Sequence, residues 1–254
     1  SGMRPVIFLF KSLTPNPGKM LNFAINIIRL RENKASALIV DLRNSTQITR
    51  CISSNDKFED YINFVMGFKK IYFEFVDSNL LSDVSACNDT GDGIICVFWD
   101  EKHAITCMKA MIQINDYFVA NLDQQNRELD TEVKLSYGFA LHTAACLVYR
   151  TNYMLNNSYH EKDFIYGILA NTVARLEHVN KIFKDSKIVV SGNFKKNFSA
   201  QLQRSNKQAN NLFIQNRKDV RRISARIEIS DGKPEGHFIY LLNDTFCEAA
   251  NILF

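Results

Sequence analysis

Hydrophobic residues recur at spacings of three and four along several long stretches of the chain, which is the pattern of amphipathic helices. Tyr61, Phe64 and Phe68, for example, share one face of such a helix. The same spacing predicts helices over four segments, 19–31, 57–80, 101–129 and 168–183.

Short apolar runs that end at turn residues predict strands. The mainly aliphatic run 35–40 suits a strand buried on both faces. The other predicted strands are 84–88, 94–99, 132–149, 187–190, 222–229 and 237–242. A tight hairpin is predicted between strands 84–88 and 94–99 from the sequence Gly91, Asp92 and Gly93, because glycine adopts positive φ angles freely. Helix-covered strands with several antiparallel pairs predict an α+β fold, an α/β sandwich.

The remaining segments divide the chain into an arm and a larger unit. Residues 1–34 are predicted to form an N-terminal arm and helix, and residues 35–254 a single domain. Segments 152–159 and 205–217 are polar and are predicted to be loops. Residues 231–234, Asp-Gly-Lys-Pro, are predicted to form a turn before the last strand.

Composition narrows the classes of partner. Among 254 residues, 31 Lys and Arg oppose 27 Asp and Glu, and the net charge of +4 comes without a dense basic run. We therefore expect no nucleic-acid partner. The apolar runs are far shorter than the roughly 18–20 residues that span a bilayer, so no membrane contact is expected. Six cysteines without a CxxC pair predict buried free thiols in a reducing compartment, hence a cytoplasmic chain.

Two aspartates are the first candidates for chemistry. Asp41 ends the run 35–40, and Asp92 sits at the tip of the predicted hairpin. An aspartate that follows buried apolar residues must be paired, bound to a metal ion or exposed at a strand end. Each alone fits an ordinary turn residue. Together, two carboxylates at adjacent strand ends suit a site for two divalent cations, which activate an attacking oxygen and neutralise phosphate.

Two further polar groups accompany the aspartates. Asn44, Ser45 and Thr46 form a polar turn after Asp41, which suits either phosphate binding by backbone N–H groups or simple helix capping. Asn171 and Arg175 are four residues apart, so they project from one face of the predicted helix 168–183. Arg175 could pair with a nearby carboxylate, or the two side chains could orient a sugar oxygen and stabilise phosphate charge.

Three motifs, taken in order, resemble the signatures of the class III nucleotidyl cyclases. They read IVDLRNST at 39–46, TGDGIICVF at 90–98 and NTVARLE at 171–177. The resemblance covers about residues 35–243 and implies a ferredoxin-like, mostly antiparallel sheet covered by helices. It also implies that Asp41, Asp92 and the backbone carbonyl of Leu42 hold two divalent cations, Mn²⁺ or Mg²⁺.

The resemblance further implies a homodimer with its active sites at the interface. One chain would contribute the aspartates and the partner Asn171, which orients the ribose, and Arg175, which meets the charge of the transition state. Lys233 would bind the polyphosphate of a nucleoside triphosphate. The implied reaction is attack of the ribose 3′-hydroxyl on the α-phosphorus, with pyrophosphate as the leaving group.

The positions that read the base depart from the purine enzymes of this family. Asn88 and Phe164 stand where those enzymes carry their base-reading side chains, and neither offers the charge pair for adenine or the glutamate for guanine. An asparagine both donates and accepts hydrogen bonds, as a pyrimidine edge requires. The sequence is therefore most similar to the uridylate and cytidylate cyclases of bacterial Pycsar anti-phage systems, with UTP slightly favoured over CTP.

Two alternatives stay open at this point. The chain could be an adenylate or guanylate cyclase with unusual base contacts, or a catalytically silent cyclase-like module that binds nucleotide. The survival of both aspartates together with Asn171 and Arg175 favours an active enzyme over the silent module.

Overall fold

The computed structural model describes most of the chain from Ala24 onward and one short strand before it. The described ranges are 7–9, 24–52, 55–155, 158–183, 187–205, 212–228 and 234–252. The strands are β1 (Ile7–Leu9), β2 (Ala24–Arg43), β3 (Ser85–Asp89), β4 (Gly93–Phe98), β5 (Ser136–Leu155), β6 (Ser158–Tyr166), β7 (Ile188–Ser191), β8 (Val220–Glu228) and β9 (Pro234–Leu242). The helices are α1 (Ser45–Cys51), α2 (Asn55–Ser78), α3 (His103–Leu129), α4 (Ile168–Asn180), α5 (Gly192–Ser205), α6 (Leu212–Gln215) and α7 (Asp244–Asn251).

The described strands form one nine-stranded sheet. Seven of them follow the order β3-β4-β2-β5-β7-β9-β8, while β1 pairs with β2 and β6 pairs with the far half of β5. Within the described strands, β5 and β7 are the one parallel pair. The predicted α+β class, with a mostly antiparallel sheet covered by helices, is confirmed.

Both faces of the sheet are covered, because successive residues of a strand point to opposite sides. Leu38 and Val40 of β2 enter a large core that includes Phe68 of α2 and the aromatic residues of α3. Ile39, between them in sequence, enters a second core on the other face, which includes Val173 of α4. The predicted strand 35–40 is therefore confirmed, together with its burial on both faces.

The helix predicted over residues 19–31 is wrong for the part that the structure describes. β2 begins at Ala24 and continues without interruption to Arg43, so it also crosses the predicted end of the arm at residue 34. Its partner β5 pairs with it from Asn26 to Arg43, with one irregularity between Ile27 and Arg29. A neighbouring strand satisfies the backbone of this segment, and that pairing outweighs a helical spacing of apolar residues.

Two predicted loops are also partly wrong. In segment 152–159, β5 extends to Leu155 and β6 starts at Ser158, so its polar residues belong to a strand pair. In segment 205–217, α6 forms a short helical turn whose Leu212 and Phe213 are buried against the large core. The polar composition of these segments predicted loops. The prediction failed because the residues that pair with or pack against them are not evident from the local sequence.

The predictions for the other long elements agree with the structure. The helices 57–80, 101–129 and 168–183 correspond to α2, α3 and α4. The hairpin around Asp92 corresponds to β3 and β4. Of the cysteines, all six are free and four are buried, whereas Cys51 is exposed and Cys87 is partly buried. Within the described residues, no helix combines the length and the hydropathy that a membrane crossing requires.

Candidate functional site

The structure brings Asp41 and Asp92 together at adjacent strand ends. Asp41 of β2 lies opposite Gly93 of β4, at the last residue pair that these two strands share. Asp92 immediately precedes Gly93, in the turn between β3 and β4. A Cβ atom at position 93 would collide with the carbonyl oxygen of Val40, so the close approach of the two strands requires glycine there.

The electrostatics around Tyr61 show that both carboxylates act on one small region. Tyr61 of α2 is buried, and burial together with the negative charges of Asp92 and Asp41 raises the pKa of its hydroxyl to about 12. A hydrogen bond with Ser45 opposes this shift of the pKa. The charges of Asp41 and Asp92 therefore both reach the hydroxyl of Tyr61, and two carboxylates acting on one region can attract cations.

The turn that follows β2 contributes a hydroxyl to the same site. Ser45 is buried, and its Oγ donates a hydrogen bond to the carboxylate of Asp92. Asn44 adopts a left-handed conformation at φ 68° before α1, and its side chain donates to the carbonyl oxygen of Lys134 at 2.8 Å. Thr46 is exposed. Of the three polar turn residues, Ser45 is thus the one that contacts a candidate metal ligand.

A buried lysine that the sequence analysis did not select holds the hairpin in place. Lys69 of α2 donates to both carboxylate oxygens of Asp89, at 2.8 and 2.9 Å, and to the carbonyl oxygen of Gly91. These bonds oppose the effect of burial and lower the pKa of Asp89, with help from the Gly91 N–H. Lys69 therefore connects the long helix to the turn that carries Asp92.

A second lysine, also not selected, contacts Asp41 directly. Lys181, just after α4, places its Nζ 2.8 Å from Oδ2 of Asp41 and 3.1 Å from Oε2 of Glu177. Burial and the charge of Asp41 raise the pKa of Glu177, whereas Lys181 and Arg43 oppose that rise. Burial favours the neutral form of Lys181 and so lowers its pKa. Its interactions with Asp41 and, to a smaller extent, with Glu177 outweigh burial, so the pKa of Lys181 is raised.

Asn171 and Arg175 lie on a different side of α4. Both are exposed, while Leu169, Val173 and Leu176 of the same helix are buried. Glu177, which shares Lys181 with Asp41, lies about 120° around the helix from Asn171 and about 160° from Arg175. Asn171 is the residue predicted to orient the ribose, and Arg175 is the one predicted to stabilise the transition state. Within one chain, both therefore lie on a different side of α4 from the side that reaches Asp41.

The predicted base-reading residues come from two strands that approach each other. Asn88 is half-buried in β3, and Phe164 is half-buried in β6. β3 and β6 are close in space although they are not hydrogen-bonded neighbours in the sheet. Lys233, the predicted polyphosphate ligand, lies outside the described residues.

The donor set around Asp41 suits hard divalent cations, although it is small. It consists of two carboxylates and the backbone carbonyl of Leu42, beyond the last residue pair of β2 and β4. Among the described residues, no group of three or more His, Cys, Asp or Glu side chains is arranged to hold a metal ion. Mg²⁺ commonly uses one or two protein carboxylates and completes its shell with water and substrate phosphates, so the set fits ions that arrive with a nucleotide.

Comparison with known proteins finds solved structures that share this fold. No family model and no curated protein matches the chain. The structure of the adenylyl cyclase CyaB from P. aeruginosa matches with a TM-score of 0.59 and 16% identity, over 85% of this chain and 97% of that one. The catalytic core of a rhodopsin-guanylyl cyclase with converted specificity, in complex with ATPαS, matches with a TM-score of 0.54 and 12% identity, over 85% and 100%.

A third similar structure is that of the guanylyl cyclase Cya2. It matches with a TM-score of 0.52 and 15% identity, over 84% of this chain and 92% of that one. The chain therefore has the fold of adenylyl and guanylyl cyclase catalytic domains, and the class III cyclase fold expected from the three motifs is confirmed. At these identities the likeness establishes the fold, and function has to be argued from the site.

Proposed function

We propose that this chain is a nucleotide cyclase, which converts a nucleoside triphosphate into its 3′,5′-cyclic monophosphate and pyrophosphate. The observation that carries the proposal is the placement of two aspartates at adjacent strand ends of this fold: Asp41 lies opposite Gly93, and Asp92 directly precedes Gly93. The similar solved structures are named as adenylyl and guanylyl cyclases, which supports the same class of reaction.

In this proposal Asp41, Asp92 and the carbonyl of Leu42 hold two divalent cations, Mn²⁺ or Mg²⁺. Burial and the charges of Asp92 and Asp41 all raise the pKa of Tyr61. This supports the role, because both carboxylates act on the same region. When bound, the cations supply positive charge that favours ionisation of the ribose 3′-hydroxyl and departure of pyrophosphate.

The side chains of the chain itself then position the reacting groups. Ser45 fixes one oxygen of Asp92 by its hydrogen bond, which limits the orientations of that carboxylate. Asn44, Thr46 and Lys233 are proposed contacts for the triphosphate. Thr46 is exposed and free of any role in the core, which is compatible with such a contact.

We further propose that the active site is completed by a second copy of the chain. Asn171 and Arg175 are exposed on α4 and face away from Asp41 of their own chain. In a homodimer, the partner's pair would orient the ribose and stabilise charge on the phosphate. One of the similar structures, with a TM-score of 0.50, is described as a non-canonical dimeric guanylyl cyclase domain, which supports the association of such domains into dimers.

For the base, we propose a pyrimidine, with UTP favoured over CTP. Asn88 supplies both a donor and an acceptor, and Phe164 fills space without charge. The closeness of β3 and β6 supports a shared role in reading the base. The product would be cUMP or cCMP, a second messenger in anti-phage defence.

A purine substrate is the second candidate. It is favoured by the similar structures, which include adenylyl and guanylyl cyclases and a guanylate cyclase domain in complex with GTP. Asn88 can hydrogen-bond a purine edge as well as a pyrimidine edge, so the reaction with each base has to be measured.

The test is incubation of the purified chain with Mn²⁺ and each of the four nucleoside triphosphates, with products separated and identified by mass spectrometry. We expect cUMP or cCMP from the wild type and no product from Asp41→Ala. Asp77→Ala, which changes an exposed aspartate of α2, is the matched control and should behave as the wild type. Product only from ATP or GTP would refute the pyrimidine proposal. The absence of any product would favour a catalytically silent module.

A further inference from the structure

One carboxylate oxygen of the candidate metal site already has a cationic partner in the chain. Lys181 Nζ lies 2.8 Å from Asp41 Oδ2, the distance of a direct ion pair. A divalent cation would bind the same carboxylate at about 2.0–2.6 Å. An ammonium group and a divalent ion repel each other at such separations, so they compete for Asp41.

The surroundings of Lys181 hold its ammonium group near Asp41. Glu177 lies one helical turn before Lys181 and contacts it at 3.1 Å, and its side chain is only 6% exposed. The other carboxylate oxygen of Glu177 is buried and has no hydrogen-bond partner among the residues that the structure describes. An anion in this position stabilises a nearby cation strongly, because water screens it poorly. Lys181 itself is 42% exposed, which leaves room for its chain to move aside.

We infer that Lys181 is a built-in cation, anchored by Glu177, that competes with divalent metal ions for Asp41. The inference rests on the proposed function in one respect, namely that Asp41 is a metal ligand. A divalent ion has to displace the ammonium group from Asp41 Oδ2, and this requirement weakens metal binding in the absence of nucleotide. The anionic phosphates of a bound nucleotide offer the displaced lysine a new partner, which couples metal binding to substrate binding.

The experiment measures Mn²⁺ binding to the purified full chain without nucleotide, by electron paramagnetic resonance of the free ion. Removing the competing charge in Lys181→Met should tighten Mn²⁺ binding about tenfold at low ionic strength. Lys181→Arg retains the positive charge and should bind Mn²⁺ about as weakly as the wild type. The binding measurement requires no turnover.

Lys187→Met is the matched control. Lys187 is 46% exposed and lies 3.7 Å from a carboxylate oxygen of Asp244, so its replacement removes the same charge from an ion pair that does not include Asp41. It should leave Mn²⁺ binding unchanged. Circular dichroism checks folding, and Lys181→Gln replaces Lys181→Met if the methionine variant does not fold.

The outcomes separate this inference from the proposed function. Equal Mn²⁺ affinity in the wild type and Lys181→Met would overturn the competition and leave the metal site intact. An equal gain of affinity in Lys187→Met would show an effect of net charge alone and would also overturn it. If none of the proteins, Lys181→Met included, binds Mn²⁺ without nucleotide, the competition is refuted, and the assay with the four nucleoside triphosphates then decides separately whether Asp41 is needed for turnover.

Discussion

Individual buried polar side chains connect the site to the elements around it. The hydroxyl of Ser45 donates to Asp92 and also hydrogen-bonds with Tyr61, so one atom links the turn after β2 to the hairpin and to α2. Lys69 makes a comparable connection from α2 to the hairpin through Asp89. A buried hydrogen bond to a charged group is stronger than one between neutral groups, so these residues orient the carboxylates as well as stabilise the fold.

At the residue scale, Ser45→Ala should lower turnover about tenfold, because a hydrogen bond to a charged group contributes about 1.5–3 kcal/mol and Asp92 would lose it. The free energy of unfolding should fall as well, by about 1.5–3 kcal/mol, because the same bond stabilises the folded chain. Cyclic nucleotide formation and urea unfolding are the two measurements. Ser45→Thr keeps a hydroxyl and should retain most of the activity. Wild-type turnover in Ser45→Ala would contradict an orienting role.

A second residue-scale prediction concerns pH. His103 is buried, its Nδ1 lies 2.8 Å from Ser36 Oγ, and burial with the charge of Lys34 lowers its pKa from 6.5 to about 4. The unfolded chain therefore binds a proton at this residue near pH 6.5 and the folded chain only near pH 4. The contribution of His103 to the free energy of unfolding is fully present above pH 6.5. It is lost as the pH falls towards 4, because protons then bind more strongly to the unfolded state than to the folded state.

Between pH 7.5 and 4.5, His103 should account for a loss of about 2 kcal/mol in the free energy of unfolding. Urea unfolding of the wild type and His103→Gln at both pH values measures this part, since the variant lacks the titrating group. His178→Gln, which changes an exposed histidine of α4, is the control and should keep the dependence of the wild type. An unchanged dependence in His103→Gln would be evidence against the prediction.

At the scale of elements, the contact between β2 and β4 sets the separation of the two aspartates. The register pairs Val40 with Ile94 and Asp41 with Gly93, and the strands separate beyond that point. Gly91 supplies the positive φ of 91° that the turn needs. Gly93 is required for a different reason, because a side chain there would meet the backbone of β2. The hairpin motif thus combines a conformational requirement and a steric one.

Replacing each glycine separates the two requirements. Gly93→Ala should destabilise the fold by about 3 kcal/mol, because its Cβ would meet a backbone carbonyl that cannot rotate away. Gly91→Ala should cost only about 1 kcal/mol, since its Cβ would meet nothing within 4 Å and the cost is the positive φ alone. Urea unfolding gives both values. Equal losses in the two variants would show that the close approach of β4 to β2 is unimportant.

On the scale of the whole molecule, the exposed positions of Asn171 and Arg175 indicate how two copies would share their sites. In a twofold dimer each site would take its aspartates from one chain and its α4 side chains from the other. An isolated chain would hold only part of each active site. Activity would therefore depend on the protein concentration, because it requires the dimer.

Mixing two inactive variants tests this arrangement. Asp41→Ala and Arg175→Ala should each abolish turnover, and an equal mixture should recover about a quarter of the wild-type activity. Half of the dimers would then be mixed, and each mixed dimer would have one intact site. A mixture of Asp41→Ala with Asp92→Ala should recover little, because both residues belong to the same half-site. No recovery in the first mixture would refute sites shared between chains.

Much of this organisation was predictable because it depends on residues close in sequence. The aliphatic run 35–40 predicts a strand buried on both faces, and the Gly-Asp-Gly sequence predicts the hairpin that carries Asp92. The i,i+4 spacing of Glu177 and Lys181 also indicates that they share a helical face. Propensity, turn conformation and the period of burial act over a few residues, so these elements and the candidate pair Asp41 and Asp92 could be predicted from the local sequence.

Contacts between segments far apart in sequence could not be predicted in this way, because they depend on how the chain packs in three dimensions. The extension of β2 from Ala24 depends on β5, more than a hundred residues later, and the buried turn α6 depends on the large core. The contact of Lys181 with Asp41 likewise requires α4 to pack across the sheet. Backbone hydrogen bonds between strands, burial of apolar surface and charge pairing select such partners by position in space, which the local pattern does not contain.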